Sequence, residues 1–274
     1  MINIATFASA LFMNAKIMIS KNKIKYIHSL ENKKNRDKER VFVAEGPKVV
    51  EDIMALRKPK LIAATAQWLQ HNGKAIPGDC ETIEVSDEEL AKTSFMQHPQ
   101  QVLAIFDQER DELHTEHFVD SLTLVLDGVQ DPGNLGTIIR IADWFGITSV
   151  VCSRDTADIY NPKVVQSTMG SIARIKTFYT DLKEFISTLP AGTPVYGTLL
   201  EGENIYSKEL TGNGLIVMGN EGKGISPEIR KLINCGIRIP NYPPGRETAD
   251  SLNVAVATAI VCAEFRRKKI RHDK

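Results

Sequence analysis

The pattern of apolar and polar positions changes character near residue 115. Between Ile19 and Phe106 short strands and helices are mixed. "KIKYIHSLENKKNRDKERVFVAEGPKVVEDIMAL" reads as a helix, a charged loop, the short strand VFVAEG and a second helix, with KLIAATA as a further strand. "ETIEVSDEELAKTS" predicts a strand running into a helix, because Ser86 stands at an N-cap with Glu89 three residues on, the spacing of a capping box. QVLAIFD is the last strand of this compact α/β unit. The charged run "DQERDELHTEHFVD", Asp107 to Asp120, then reads as a linker with helical character.

Beyond it strands and helices alternate. The order is LTLVLDGV, a helix capped by Asn134, ITSVVCS, a helix after Asn161, RIKTFYT, a helix from Asp181, VYGTLL, GLIVMGNE, a helix from Ser226, IRIP and a last helix from Ser251. Strands rich in Val, Ile and Leu that alternate with helices predict a mainly parallel sheet covered on both faces. Ligands of such sheets gather beyond the carboxyl ends of the strands. The expected division is an extension at 1–17, a first domain at 18–108, a linker at 109–120 and a second domain at 121–274.

Composition adds little to the fold and something to the partners. The 274 residues are 42% hydrophobic and 25% charged, ordinary for a folded chain, and the formal net charge is zero. The charge is uneven, however. Lys21, Lys23, Lys25, Lys33, Lys34, Arg36, Lys38 and Arg40 face only Glu31, Asp37 and Glu39, and Arg266, Arg267, Lys268, Lys269, Arg271 and Lys274 form a second basic block. Such patches attract polyanions even on a neutral molecule. Cys80, Cys152, Cys235 and Cys262 are scattered without CxxC spacing, which argues against zinc and disulfides and for a reducing cytoplasm. Residues 1–17, "MINIATFASALFMNAKI", hold an apolar run without a basic start, a weak signal for a leader or anchor; they read as a dispensable extension, a misplaced start or a disordered tail.

Three loops carry candidate chemistry, each after an apolar strand. In the first, "LDGVQDPGNLGTIIR", Leu135, Ile138, Ile139 and Ala142 make a buried stripe at helical spacing, and Arg140 lies roughly 160° from the stripe's centre at ~100° per residue. Taken alone, Arg140 reads first as a solvated surface arginine and only second as a functional one. The second, "IVMGNEGKGIS", places Gly219, Gly222 and Gly224 at a strand end. It is neither a Walker loop nor a GxGxxG fingerprint, so a tight turn and a cofactor cradle stand level. In the third, "IRIPNYPPGRETADSLNVAVATAIVCAEFRR", a nearly all-apolar helix follows a Pro- and Gly-containing loop; Asn253 in its first turn reads as a local cap ahead of a functional group. No GxSxG elbow is present, the six histidines read as surface or loop residues, and no metal spacing appears.

Taken in this order, "DPGNLGTIIRIADWFG", "VMGNEGKGIS" and "IP" with "SLNVAVATAI" resemble the three signature motifs of the SpoU (TrmH-type) branch of the SPOUT RNA methyltransferases. The first domain, with "AEGPKVVED" and "QVLAIF", resembles the RNA substrate-binding module of that family, so the likeness runs from Ile19 to Arg267. It implies an α/β knot fold: a mainly parallel sheet whose C-terminal half is a trefoil knot, with a smaller N-terminal α/β RNA-binding domain. It also implies transfer of a methyl group from S-adenosyl-L-methionine to a ribose 2'-hydroxyl in rRNA or tRNA, rRNA being favoured, by a cytoplasmic homodimer that needs no membrane and no metal. Carried over residue by residue, the catalytic group is Arg140 with Asn134, Glu221, Ser251 and Asn253 around it. The donor contacts fall at Gly219, Ile239 and Leu252, with Thr198 or Leu199 at the earlier strand end. One departure stands out: the loop from Asn241 to Asp250 is longer than the usual link before "SLN".

Two rival readings stay open at this level. An RNA-binding member that serves ribosome assembly without turnover would be favoured by degraded motifs, whereas Asn134, Arg140, Glu221, Ser251 and Asn253 are all in place. A nucleotide-dependent dehydrogenase on an open α/β sheet would need the missing dinucleotide fingerprint.

Overall fold

The computed structural model describes residues 19–109, 112–113, 118, 120–243, 246–247 and 249–272. The expected extension at 1–17 lies outside the described residues, as does much of 109–120. The chain divides into two compact units, the first ending at Gln108 and the second starting at Glu109.

The first unit runs α1 (Lys21–Ser29), α2 (Lys33–Glu39), β1 (Val41–Glu45), α3 (Pro47–Met54), β2 (Pro59–Ala64), α4 (Ala66–Asn72), β3 (Glu81–Glu84), α5 (Asp87–Ala91) and β4 (Val102–Asp107). Its sheet has the order β1-β4-β2-β3. β4 is antiparallel to both neighbours, and only β2 and β3 pair in parallel. Val43, Leu61, Leu103 and Ile105 of the sheet bury against Ile27 and Leu30. Each Leu or Ile so buried contributes about 1.5–3 kcal/mol. The capping box forms as expected: Ser86 Oγ accepts from the Glu89 N–H at 3.2 Å and the Glu89 carboxylate accepts from the Ser86 N–H at 2.9 Å.

Two helices were not foreseen. The expected charged loop holds α2, whose Arg36 turns inward to 1% exposure and donates to the Leu30 and Glu31 carbonyls at 2.8 and 2.6 Å. A local cap by Asn32, which accepts from the Lys34 N–H at 2.9 Å, and these bonds to carbonyls five and six residues back make that turn without any apolar periodicity. The second, α4, is capped by Thr65 and anchored by buried Trp68, whose indole N–H donates to Glu51 at 3.0 Å.

The second unit runs β5 (Leu122–Asp127), α6 (Pro132–Trp144), β6 (Ser149–Ser153), α7 (Pro162–Thr168), β7 (Lys176–Thr180), α8 (Leu182–Ser187), β8 (Val195–Asn204), β9 (Gly214–Gly219), α9 (Pro227–Arg230), β10 (Cys235–Arg238) and α10 (Val254–His272). The sheet order is β10-β8-β9-β5-β6-β7, parallel throughout. From β5 the chain steps outward to β6 and β7, then returns to build β8 and β9 on the other side. The strand order therefore reverses beside β5, and ligand crevices open at such a reversal.

α6 packs on α7 and α10. Its stripe of Leu135, Ile138, Ile139 and Ala142 is fully buried. Gly136 lies so close to α7 that a Cβ there would stand 2.4 Å from Ser167 Cβ and 2.7 Å from the Val164 carbonyl oxygen. The far end of α6 is fastened twice. Arg266 donates to the carbonyls of Phe145 and Gly146 at 2.8 and 3.0 Å. Asp143 accepts from Ser171 and Arg174 at 2.7 and 2.8 Å; burial works to raise its carboxyl, yet these partners hold it below the usual carboxylate range.

In the first unit Glu45, at the end of β1, is 6% exposed. Its carboxylate accepts from the Ser94 hydroxyl and from the Phe95 N–H at 3.0 Å. Burial pushes this carboxyl above its ordinary 4.5 despite those hydrogen bonds and nearby His28. A raised acid stabilises the fold while protonated, and that contribution is lost as pH climbs from about 4.5 through the folded value. Wild type should therefore lose thermal midpoint relative to Glu45→Gln between about pH 4 and pH 7. Parallel midpoint profiles for the two proteins would contradict this.

Candidate active site

β5 and β9 end side by side, with Asp127 of β5 in register with Gly219 of β9. After Gly219 the chain makes a five-residue turn that Asn220 organises. The Asn220 N–H and carbonyl bridge Gly224 at 3.0 and 2.9 Å, and Asn220 Oδ1 accepts from the N–H groups of Gly222 and Lys223, each at 3.0 Å. Asn220 Nδ2 donates to the Gly128 carbonyl at 2.6 Å, fastening the second loop to the first. At Gly219 a Cβ would lie 2.3 Å from backbone atoms of Gly224 and Ile225, so only glycine fits beneath the turn. The tight-turn reading of this loop is thus correct in its geometry.

The first loop is held as firmly. Gly128 has φ +73, and its N–H donates to Ser153 Oγ at 2.9 Å. Asp127 Oδ2 accepts from the Ser226 N–H at 2.7 Å. The helix cap differs from expectation: Asp131, not Asn134, is the N-cap of α6, and Asp131 Oδ1 accepts from the Asn134 N–H at 2.8 Å. Pro132 at the first helical position needs no N–H partner and starts the helix one turn earlier than the sequence reading had it. The Asn134 side chain is thereby released.

That side chain joins the three motifs. Asn134 Nδ2 donates to Glu221 Oε1 at 3.0 Å, and Asn134 Oδ1 accepts from Asn253 Nδ2 at 3.0 Å. Glu221 projects from the tip of the Asn220 turn and also accepts from the N–H groups of Gln130 and Asp131, both at 3.4 Å. Asn253 caps α10: its Oδ1 accepts from Ala255 and Val256 at 3.0 and 3.2 Å. The local reading of Asn253 is right for one end of its amide, and the other end belongs to the network. The last helix begins at Val254 rather than Ser251, and Ser251 is exposed.

Arg140 is exposed on the outward face of α6, with Thr137 one turn before it and Trp144, 85% exposed, one turn after. It makes no hydrogen bond or ion pair among the described residues. The structure therefore connects Asn134, Glu221 and Asn253 directly and leaves Arg140 and Ser251 outside that network.

The expected donor contacts lie at the same ends of the strands. Pairing of β8 with β10 jumps from Gly197 opposite Gly236 to Glu203 opposite Ile237, which takes Thr198 to Gly202 out of register. Thr198 and Leu199 are half-buried there, Gly219 is buried, Ile239 is half-buried just beyond β10, and Leu252 is 52% exposed. The Ser226 hydroxyl is buried without a partner at the close of the second motif. Strand-end backbone, apolar side chains and one unsatisfied hydroxyl suit an adenosyl group, which needs apolar walls and a few polar contacts. Among the described residues no group of three or more His, Cys, Asp or Glu is placed to hold a metal.

Sequence reasoning missed Asp127, Ser153 and Asn220. Asn220 left a signal, since Asn beside glycines after a strand marks a turn in which its side chain stands in for backbone. Asp127 and Ser153 left none, because their partners lie 99 and 25 residues away.

The chain has recognisable relatives. The SpoU rRNA methylase family profile matches residues 121–263, and an MRM3-like substrate binding domain matches 21–104. The 23S rRNA (guanosine(2553)-2'-O)-methyltransferase RlmP of Bacillus subtilis is 34% identical over 250 residues, covering 89% of this chain and 96% of that one. A TrmH-family protein of known structure from Porphyromonas gingivalis is 39% identical, with TM-score 0.79 over 92% of this chain and 99% of its own. The AdoMet-bound rRNA methyltransferase of Sinorhizobium meliloti is 31% identical, with TM-score 0.80 over 91% of this chain and 96% of its own.

Glu221 braces the first loop by accepting two of its N–H groups, so Glu221→Ala should speed hydrogen exchange at the Gln130 and Asp131 amides by about fivefold. Exchange there at the wild-type rate would show that the carboxylate does not hold the loop.

Proposed function

The chain belongs to the SpoU rRNA methylase family, and we propose that it methylates a ribose 2'-hydroxyl of RNA, rRNA ahead of tRNA, with S-adenosyl-L-methionine as donor. The observation that carries this reading is the hydrogen-bonded set Glu221, Asn134 and Asn253, which ties all three motifs together where β5 and β9 end. The RNA preference is supported by the relative RlmP, named for 23S rRNA, and the donor by the AdoMet-bound relative from Sinorhizobium meliloti. On this reading residues 18–108 bind RNA substrate, 109–120 are a linker and 121–274 carry the catalysis, with the trefoil knot in the C-terminal half. Among the described residues no helix is long and apolar enough to cross a membrane; the cytoplasm is the compartment this reading assigns.

Gly219, Ile239, Leu252 and either Thr198 or Leu199 would hold the donor, which would supply an electrophilic methyl group on sulfur. The 2'-oxygen must sit in line behind that methyl, so orientation provides much of the rate. Arg140 would hold the phosphate beside the target ribose and stabilise charge building on the 2'-oxygen as its proton leaves. A guanidinium, with pKa above about 12, is a poor proton acceptor and an effective electrostatic clamp. Asn134, Glu221 and Asn253 set the loop that frames the hydroxyl, and Ser251 lines its approach.

Arg140 is assigned to the donor site of a second copy. The exposure of Trp144 on the same face of α6, together with Val256 at 51% exposure on neighbouring α10, supports a homodimer through these helices. A face of this kind excludes little water in a monomer and much in a pair.

Two experiments test these assignments. Purified protein should transfer label from S-adenosylmethionine to unmodified rRNA with the product on a ribose, and Arg140→Ala should cost about 10²–10³ in kcat with donor affinity unchanged. Label on a base, or full turnover in that variant, would overturn the chemistry. Trp144→Glu should sediment as a monomer and lose about tenfold or more of the turnover; a dimer with wild-type turnover would remove this face from the interface.

A further inference from the structure

The first unit contains a cleft that nothing in the methyl-transfer reading uses. It has a volume of about 350 Å³ and is lined by Lys23, Tyr26, Glu39, Lys60, Leu61, Glu81 and Ile105. Leu61 and Ile105, 3% and 1% exposed, give an apolar floor from β2 and β4. Tyr26 of α1 forms an aromatic wall, half-buried against the same core. The rim is charged but unevenly paired. Lys23 bonds Glu81 at 2.8 Å and lies 5.8 Å from the Tyr26 ring centre, while Lys60 bonds Asp107 at 2.6 Å. Among the described residues Glu39 has only Lys38 as an ion-pair partner, at 3.9 Å on the open surface. Glu39 lines the same cleft as Tyr26, and burial, then the Glu39 carboxylate, push the Tyr26 phenol up.

An apolar floor and an aromatic wall, with two lysines and two carboxylates at the rim, describe a slot for a flat heterocycle that carries hydrogen-bond donors. Lys21, Lys25, Lys33, Lys34 and Lys38 are exposed on α1 and α2. Of the four bases only guanine presents two adjacent donors on one edge, N1–H and the N2 amine, the pattern that a carboxylate accepts in bidentate fashion. We propose that this cleft holds one unstacked guanine of the RNA substrate, with Tyr26 as its stacking face and Glu39 accepting from N1–H and N2–H. The proposal rests on RNA being the substrate, and it concerns a nucleotide other than the one that receives the methyl group.

The test uses the full chain without methyl donor and short, labelled, uridine-rich RNAs that carry a single guanosine or a single adenosine. Fluorescence anisotropy should give about tenfold tighter binding of the guanosine RNA, the size of a charge-assisted pair. Glu39→Gln, at an exposed position, should erase that preference. Tyr26→Ala should weaken both RNAs by about tenfold, while Tyr26→Phe keeps the wild-type values. Equal binding of the two RNAs by wild type, or an undiminished preference in Glu39→Gln, would overturn the proposal. So would guanosine monophosphate competing as well as the guanosine RNA, which would make the cleft a free-nucleotide site. Label transfer to rRNA, measured in parallel, keeps the two readings apart: its failure in wild type strikes the methylation and leaves the guanosine preference as a separate result.

Discussion

Two parallel strands that stop at the same level place the candidate site. With Asp127 and Gly219 paired in register, both loops must leave the sheet within one strand spacing of each other. Their backbone groups then need partners, and Asn220 provides them: its side-chain oxygen accepts two N–H groups of its own turn and its amide donates across to Gly128. Three of that amide's four hydrogen-bonding positions thus hold the turn and the neighbouring loop together. Glu221 is therefore delivered at the tip of a rigid turn, where it meets Asn134 and the amides of Gln130 and Asp131.

The helix that follows the first loop performs two tasks on two faces. One face is fixed by burial of Leu135, Ile138, Ile139 and Ala142 and by the close approach of Gly136 to α7. Both ends are closed, by Asp131 at the start and by Arg266 at the carbonyls of the finish. A helix so anchored holds its other face still: there Thr137 donates back to the Gly133 carbonyl at 2.8 Å, and Arg140 and Trp144 stay exposed.

Charge counted along the sequence overstated the basic surface. Arg36 lies under α2, tied to two carbonyls, and Arg266 closes a helix end, so two members of the basic blocks serve the fold. Arg267 is engaged by buried Glu264 at 2.6 Å. The lysines of α1 and α2 keep their exposure, because an ammonium on a flexible stem stays hydrated where a planar guanidinium is readily drawn onto carbonyl oxygens.

Local signals were legible where the physics is local. The Ser86 and Glu89 capping box, the buried stripe of α6, the parallel sheet of the second unit and the three strand-end loops all follow from periodicity and turn chemistry, which act over a few residues. The same reading placed the cap of α6 at Asn134 instead of Asp131, missed α2 and α4, and began α10 three residues early. At α6 and α10 a choice between two capable caps decided the outcome, at α4 the contact of Trp68 with Glu51 did, and at α2 a short Asn32-capped turn carries no apolar period to read. Site residues divide in the same way. Asn134, Glu221 and Asn253 could be named from motifs, but their mutual hydrogen bonds span 87 and 119 residues. Such bonds exist only because the sheet brings three loops to one end. The sequence by itself determined which side chains are available; tertiary structure decided which of them meet, since hydrogen bonds of 3 Å require a geometry that only the packed sheet supplies.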